Sequence, residues 1–136
     1  VAYIAGFEEA VKHVDEFSVD EVKAIRDRCL DRLTQIPDHI INSPEDGSPY
    51  ILNFALKDVK AEVLLHFMEQ EEMYLSSGSA CTGAKVSHVL EAIKLPKEYI
   101  EGCVRISFLT ENKVEEVDPF FDQLEKAVEQ IRSLRR

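Results

Sequence analysis

Cys103-Val104-Arg105-Ile106-Ser107-Phe108-Leu109 is the stretch that decides the fold class. Its apolar and polar side chains alternate, as they do in a β-strand with one buried face. Val104, Ile106 and Phe108 share one face, so Arg105 lies on the opposite face and is free to point into a cleft. The stretch therefore predicts a sheet that is packed on one side.

Two further strands are predicted upstream, over His39–Asn42 and Tyr50–Leu56, around a connection rich in proline and glycine. Met73-Tyr74-Leu75 is predicted to be short and extended, and a loop of small residues follows it over 76–84. These segments supply the remaining strands of a small sheet.

Apolar residues at helical spacing predict helices before, between and after the strands in chain order. The chain opens on one short helix. Ser18 with Glu21 then forms a capping-box pattern, and the second helix ends before Pro37. Asp58 is predicted to cap a third helix, and a fourth ends near Pro96. The five predicted apolar stripes are Phe7/Ala10/Val11/Val14/Phe17, Val22/Ile25/Cys29/Leu33/Ile36, Val59/Val63/Leu64/Phe67/Met68, Val86/Val89/Leu90/Ile93 and Val117/Phe120/Phe121/Leu124/Val128/Ile131/Leu134.

The start of the last helix has two interpretations. Asn112 with Glu115 can cap it, although Pro119 then removes a backbone bond one turn later. Alternatively Asp118 is the cap and Pro119 is the first helical residue. The element order predicts an α/β (α+β) fold over 1–136, a single domain with one small mixed sheet packed against helices.

Composition excludes several classes of function. The formal net charge of −10 argues against nucleic acid as a partner, and no apolar run is long enough to cross a membrane. Arg132, Arg135 and Arg136 form a small basic patch that we interpret as cations complementing a helix dipole. The three cysteines are widely spaced and lack metal-ligand intervals, which favours a reducing cytoplasm.

Residues 76–83 read Ser-Ser-Gly-Ser-Ala-Cys-Thr-Gly and carry the chemistry that the sequence suggests. Small residues between a strand and a helix let the backbone approach a ligand, and a helix start can lower a thiol's pKa. Cys81 is therefore either a nucleophile or a small buried hydrophobe, and composition leaves both open. Cys29 and Cys103 lie in apolar patterns and are predicted to be packing residues.

The 76–82 loop, with the following Ser87–Ile93 helix, resembles the catalytic loop of cysteine desulfurases of the iron–sulfur assembly and nitrogen-fixation type. The resemblance extends over essentially the whole chain. Its other matching segments are Ile4–Phe7, the strand at 50–56, Val104–Phe108, Asn112 and Glu115–Asp118. Lys113, where the family often has threonine, and Pro119 depart from the pattern.

The resemblance implies the small C-terminal domain of a fold-type I pyridoxal-phosphate enzyme. Cys81 would attack the sulfur of L-cysteine held on the cofactor, giving L-alanine and a persulfide. Arg105 would bind the substrate carboxylate. The implied partners are a sulfur-acceptor protein, such as an iron–sulfur scaffold, and a second copy of the enzyme in a homodimer. The transferred sulfur would serve iron–sulfur assembly or tRNA thiolation.

The cofactor-binding residues of that family lie in a large N-terminal domain, upstream of the equivalent of Val1. We therefore expect this chain alone neither to bind pyridoxal phosphate nor to release sulfur, and we expect its exposed apolar surface to favour self-association. Lys57, Lys85 and Lys94 are interpreted as ordinary lysines, and His88 as a surface or packing residue. The starting Val1, in place of methionine, suggests a piece of a longer protein.

Other functions remain open at this point. A selenocysteine lyase, or another class V aminotransferase, would share the fold and cofactor, although the Ser-Ser-Gly-Ser-Ala-Cys loop favours the desulfurase. A stand-alone sulfur-carrier or binding module would accept a persulfide on Cys81 without making one.

Overall fold

The computed structural model describes residues 1–13, 18–77 and 88–134. Six helices and four strands lie in these ranges. They are α1 (Ala2–Lys12), α2 (Val19–Leu33), β1 (His39–Ile41), β2 (Ile51–Leu56), α3 (Ala61–Glu69), β3 (Ser76–Ser77), α4 (His88–Ala92), α5 (Lys97–Ile100), β4 (Cys103–Ser107) and α6 (Val117–Ser133). Within these ranges, no helix combines the length and apolar character needed to cross a bilayer.

The four strands form one sheet in the order β1-β2-β4-β3, and every pair is antiparallel. The predicted α/β class is confirmed, but the described sheet is antiparallel throughout rather than mixed. The connection between β1 and β2, residues 42–50, is shorter than a parallel crossover requires. For strands separated by longer stretches of chain, such as β2 and β4, the sequence has no comparable signal for their relative direction.

One face of the sheet, the inner face, packs against helices and forms the core. Leu52, Phe54 and Leu56 of β2 and Val104 of β4 are completely buried there, as the alternation predicts. The long helix α6 packs against both α2 and α3. Each large apolar side chain buried in this way contributes about 1.5–3 kcal/mol relative to exposure.

The predicted second helix is confirmed with its cap. Ser18 has an extended backbone, and its Oγ accepts a hydrogen bond from the Glu21 amide at 3.4 Å. Val22, Ile25 and Cys29 of the predicted stripe are buried. The side chain of Ser18 thus satisfies an amide that has no partner within the helix.

The predicted cap of the third helix is wrong. Asp58 has a left-handed φ of 58° in the turn that leaves β2, and Lys60 is the residue that precedes α3. The Ala61 amide donates to Glu101 O at 2.8 Å, so a neighbouring segment satisfies this helix start. Likewise, the strand expected over 73–75 occurs later, at Ser76–Ser77, where β4 offers a partner.

Neither interpretation of the last helix start is right. A short 3-10 turn, Val114–Glu116, leads into α6, and the Glu116 carboxylate accepts from the Lys113 amide at 2.9 Å. Pro119 is the third residue of α6, where an amide has no intrahelical partner to lose. Helix α5 was not predicted, because one turn is too short to show a periodicity.

Arg132 lies in the last turn of α6, as the interpretation of a cation near a helix C-terminus expects, and it also makes tertiary contacts. The Arg132 guanidinium donates to Lys57 O at 3.0 Å and to Pro37 O at 3.0 Å. It therefore ties α6 to the ends of other segments rather than only complementing a dipole. Arg135 and Arg136 lie outside the described residues.

Candidate active site

The second face of the sheet, the outer face, carries a row of polar residues across three strands. Asn53 of β2 lies opposite Arg105 of β4, and Ser76 of β3 lies opposite Arg105 on its other side. Residues directly opposite in antiparallel strands project from the same face, with Cβ atoms about 4.5–5.5 Å apart. We call these three residues the outer-face row.

Arg105 is exposed, and no described residue forms an ion pair or hydrogen bond with its guanidinium. The four other described arginines all contact protein oxygens. Arg26, Arg28, Arg32 and Arg132 donate to carbonyls or carboxylates of neighbouring segments. Arg105 therefore differs from them in having no acceptor for its donors among the described residues, and a planar guanidinium suits a carboxylate.

Asn53 belongs to a hydrogen-bonded cluster with Asn42 and Cys103. Its Oδ1 accepts from Asn42 Nδ2 at 2.7 Å and from Cys103 Sγ at 3.3 Å, and Asn42 Nδ2 also lies 3.6 Å from that sulfur. Cys103 is 2% exposed. Burial raises the pKa of its thiol, so at neutral pH it keeps the proton that it donates.

The part of the outer face around Ala55 and Cys103 is covered by other segments. Leu90 of α4 and Leu95 pack with Ala55 and Cys103 in a small apolar cluster. The α4 and α5 region therefore covers the face beside Cys103, while in the outer-face row Arg105 is exposed and Asn53 and Ser76 are half-buried.

Both cysteines in the described residues have the environment of packing residues, as predicted. Cys29 is 3% exposed and, like Cys103, is a free thiol. Desolvation by burial raises the pKa of Cys29 to about 12, so it holds little thiolate at neutral pH. Neither thiol is suited to nucleophilic attack.

Cys81, the predicted nucleophile, lies outside the described residues, which resume at His88. His88 is 92% exposed in its side chain and lies 3.9 Å from Glu91, as expected for a surface residue. Lys57 forms an ion pair with Glu98 at 3.0 Å, and Lys85 also lies outside the described residues.

A groove of about 760 Å³ lies elsewhere, between α2, the segment after α3 and the start of α6. Its floor includes Ile25, Cys29 and Phe108. Neither Arg105 nor the Asn42–Asn53–Cys103 cluster lines it, so we place the candidate site on the outer face of the sheet.

Asn53 and Asn42 were not predicted from the sequence as site residues, whereas Ser76 belongs to the 76–83 loop that was. Asn53 interrupts the apolar run of β2, and a polar residue inside a buried strand is a usable signal. Asn42 carries no such signal, because only its hydrogen bonds to Asn53, just beyond the end of β1, bring it to this face.

Comparison with known proteins gives a consistent result. Residues 1–120 match the family described as aminotransferase class-V. A protein named cysteine desulfurase IscS from Edwardsiella ictaluri is 34% identical over 98% of this chain and 34% of its own length. A NifS/IcsS protein homolog from Lactobacillus delbrueckii subsp. bulgaricus is 34% identical over 85% of this chain and 32% of its own.

Solved structures share the fold. A NifS-like protein superposes with a TM-score of 0.73 at 23% identity, over 90% of this chain and 31% of the other. A NifS-like protein from Rickettsia africae also superposes with a TM-score of 0.73, at 20% identity, over 87% of this chain and 31% of the other. The chain thus spans about a third of the length of these two curated relatives.

Proposed function

The chain belongs to the aminotransferase class-V family, and we propose that it is the small C-terminal domain of a cysteine desulfurase whose large cofactor-binding domain lies outside this sequence. The observation that carries the proposal is Arg105, an exposed arginine on the outer face with no partner among the described residues. The relatives named cysteine desulfurase are about three times as long as the matching region, which supports the domain assignment.

The proposed reaction removes sulfur from L-cysteine. The carbon–sulfur bond breaks, a sulfur–sulfur bond to Cys81 forms, and a proton takes the place of sulfur on carbon. L-alanine and a Cys81 persulfide are the products, and atoms balance without a further oxidant or reductant. Cys81 follows Ser77 of β3 by four positions, and Ser76 lies beside Arg105, so chain connectivity supports a shared site.

Arg105 holds the substrate carboxylate in this proposal. Its guanidinium can form two parallel charge-assisted hydrogen bonds with the two carboxylate oxygens. Since no described carboxylate neutralises it, its charge remains for the substrate. The outer-face row thereby orients L-cysteine with its sulfur available to a thiolate.

The described outer-face side chains do not suit the cofactor itself. The family is pyridoxal-phosphate-dependent, and that cofactor needs an amine, an acidic partner for its ring nitrogen and phosphate donors. The outer-face row offers an amide, a guanidinium and a hydroxyl, while Lys57 is paired with Glu98. We therefore assign the cofactor to the large domain and derive no step through it.

The remaining assignments follow from the same proposal. A protein acceptor, such as an iron–sulfur scaffold, takes the sulfur from Cys81, and the complete enzyme is a cytoplasmic homodimer. The free thiols of Cys29 and Cys103 support a reducing compartment.

The experiment is kinetic and uses the complete enzyme that carries this chain. Changing Arg105→Gln is expected to lower kcat/KM for L-cysteine by about 10–100-fold, because a hydrogen-bonded charge pair is lost. Arg28→Gln is the matched control, since Arg28 contacts Asp118 on the helical side of the sheet. Unchanged kcat/KM in Arg105→Gln would contradict the proposed role.

A ligand without a carboxylate distinguishes loss of the carboxylate contact from a general structural defect. Cysteamine keeps the amine and thiol of L-cysteine but lacks its carboxylate. Binding of cysteamine should be the same in wild type and Arg105→Gln, while binding of L-cysteine weakens. An equal loss for both ligands would indicate a general structural defect and not a carboxylate contact.

A further inference from the structure

We propose that Asn53 is a second carboxylate-binding residue beside Arg105, and that Asn42 and Cys103 are the positioning residues that orient its amide. The inference rests on the proposed function, because it adds a donor to the same substrate site. It concerns residues of this chain alone.

The strand register places Asn53 next to Arg105. The two residues are direct partners across β2 and β4, so their side chains leave the outer face side by side. Ser76 continues the row on the far side of Arg105. A ligand carboxylate bound by Arg105 therefore lies within reach of a donor on Asn53.

The hydrogen bonds around Asn53 select which end of its amide is available. Both donors of the cluster, Asn42 Nδ2 at 2.7 Å and Cys103 Sγ at 3.3 Å, go to Oδ1. The Nδ2 group of Asn53 has no acceptor among the described residues. Since Cys103 is buried and keeps its proton, the cluster holds the oxygen inward and leaves the NH₂ as the donor.

An amide is the suitable side chain at this position. A carboxylate opposite Arg105 would pair with the guanidinium and neutralise it before a substrate arrived. A neutral amide leaves the charge of Arg105 for the ligand and adds a donor that a carboxylate can accept. The outer-face row thus combines one charged and one neutral donor for the same anion.

The test is a titration of the isotopically labelled chain with L-alanine, the product that carries the carboxylate, followed by NMR. The side-chain amide signals of Asn53 and the Nε–H signal of Arg105 are expected to shift along one common binding curve. Ethylammonium chloride, an amine without a carboxylate, controls for ionic strength and should move neither signal.

Asn53→Asp is the decisive variant. It keeps an oxygen for Asn42 and Cys103 but replaces the NH₂ donor with a second oxygen, so L-alanine should bind about tenfold more weakly or worse. Gln130→Glu makes the same chemical change at an exposed site on α6 and should bind like wild type. The melting temperature of each variant checks that folding is retained.

The positioning residues are tested by rescue. Cys103→Ala removes the thiol donor and should weaken binding about threefold, whereas Cys103→Ser keeps an O–H donor and should restore it. Equal binding by Cys103→Ala and Cys103→Ser would show that the thiol only fills space, and would overturn its positioning role.

The two proposals fail in different ways. If the Arg105 signal shifts while the Asn53 amide does not, or if Asn53→Asp binds as tightly as wild type, the role of Asn53 is wrong and that of Arg105 stands. If neither signal shifts, the carboxylate site itself is contradicted, and with it the role of Arg105 in the proposed function.

Discussion

At the scale of single residues, Cys29 and Arg105 lie in opposite environments although both belong to apolar–polar patterns. Cys29 is 3% exposed, among core side chains, whereas Arg105 is exposed on the outer face. Burial disfavours the thiolate, and exposure keeps a guanidinium available to ligands. The fold thus keeps the Cys29 thiol protonated in the core and leaves the Arg105 guanidinium exposed on the outer face.

The Cys29 thiol predicts a pH dependence of stability. Its pKa rises from an ordinary 9.0 to about 12 on folding. Above pH 9.0 the unfolded chain loses this proton while the folded protein keeps it, so the group's contribution is complete below 9.0 and is lost as pH rises toward 12. The free energy of unfolding should fall by up to about 1.4 kcal/mol per pH unit in that window.

The measurement is urea denaturation of wild type and Cys29→Ala at several pH values from neutral to alkaline. The variant should show a smaller alkaline loss than wild type. Val22→Ala, a core truncation on the same helix without a titratable group, should keep the wild-type slope. Parallel profiles for wild type and Cys29→Ala would contradict the prediction.

At the scale of elements, Arg32 joins α2 to α6. Its guanidinium donates to Asp118 Oδ1 at 2.9 Å, Asp122 Oδ1 at 2.7 Å and Glu125 Oε1 at 2.9 Å. The side chain of Arg32 is 8% exposed, while that of Arg28, which also contacts Asp118, is 39% exposed. Since the pKa of Asp118 is lowered chiefly by its hydrogen bond to Arg32, that carboxylate stays ionised beside two others.

Arg32→Met should therefore destabilise the fold more than Arg28→Met. Loss of Arg32 removes charged hydrogen bonds and leaves three carboxylates without their shared cation, which should cost about 1.5–3 kcal/mol. Loss of the more exposed Arg28 should cost about 0–1 kcal/mol. Chemical denaturation of both variants measures the difference, and equal costs would show that α6 does not depend on Arg32.

The faces of single strands were predictable from the sequence, whereas contacts between distant elements were not. Alternation along β4 predicted that Arg105 and Val104 lie on opposite faces, because a strand has a period of two residues. The partners of Asn53 were not predictable, since Cys103 lies 50 positions away and only the strand register brings it close. Asp58 fits a cap pattern, but tertiary contacts place it in a left-handed turn instead.

The candidate site was only partly predictable for the same reason. Arg105 and Cys81 were identified from their local patterns and from a family resemblance. The cluster that orients Asn53 depends on strand pairing, on which local sequence has little influence. The role of Cys81 stays a prediction, because residues 78–87 are not among those described.

At the scale of the whole molecule, α1 exposes an apolar surface that the rest of the described chain does not cover. None of its residues is buried, and Tyr3, Ile4 and Phe7 are 94%, 74% and 72% exposed. Large apolar side chains grouped on one exposed helix favour association with another surface. The isolated chain should therefore form dimers or larger species as its concentration rises.

Sedimentation velocity checks this expectation. Replacing Ile4→Glu and Phe7→Glu together should shift the isolated chain toward the monomer, because charged side chains resist burial. Glu8→Gln with Glu9→Gln is a control that changes charge on the same helix without altering its apolar residues. Unchanged association in the Ile4/Phe7 variant would show that α1 is not the contact surface.

The proposed transfer of sulfur from L-cysteine to Cys81 is tested most directly by locating that sulfur in the protein. The complete enzyme that carries this chain would be incubated with pyridoxal phosphate and sulfur-labelled L-cysteine, then alkylated, digested and analysed by mass spectrometry. Cys81→Ser serves as the control. We expect one labelled sulfur atom on the Cys81 peptide and none on the Cys29 or Cys103 peptides. Alanine formation with the label on Cys29 or Cys103, or on no cysteine, would contradict it.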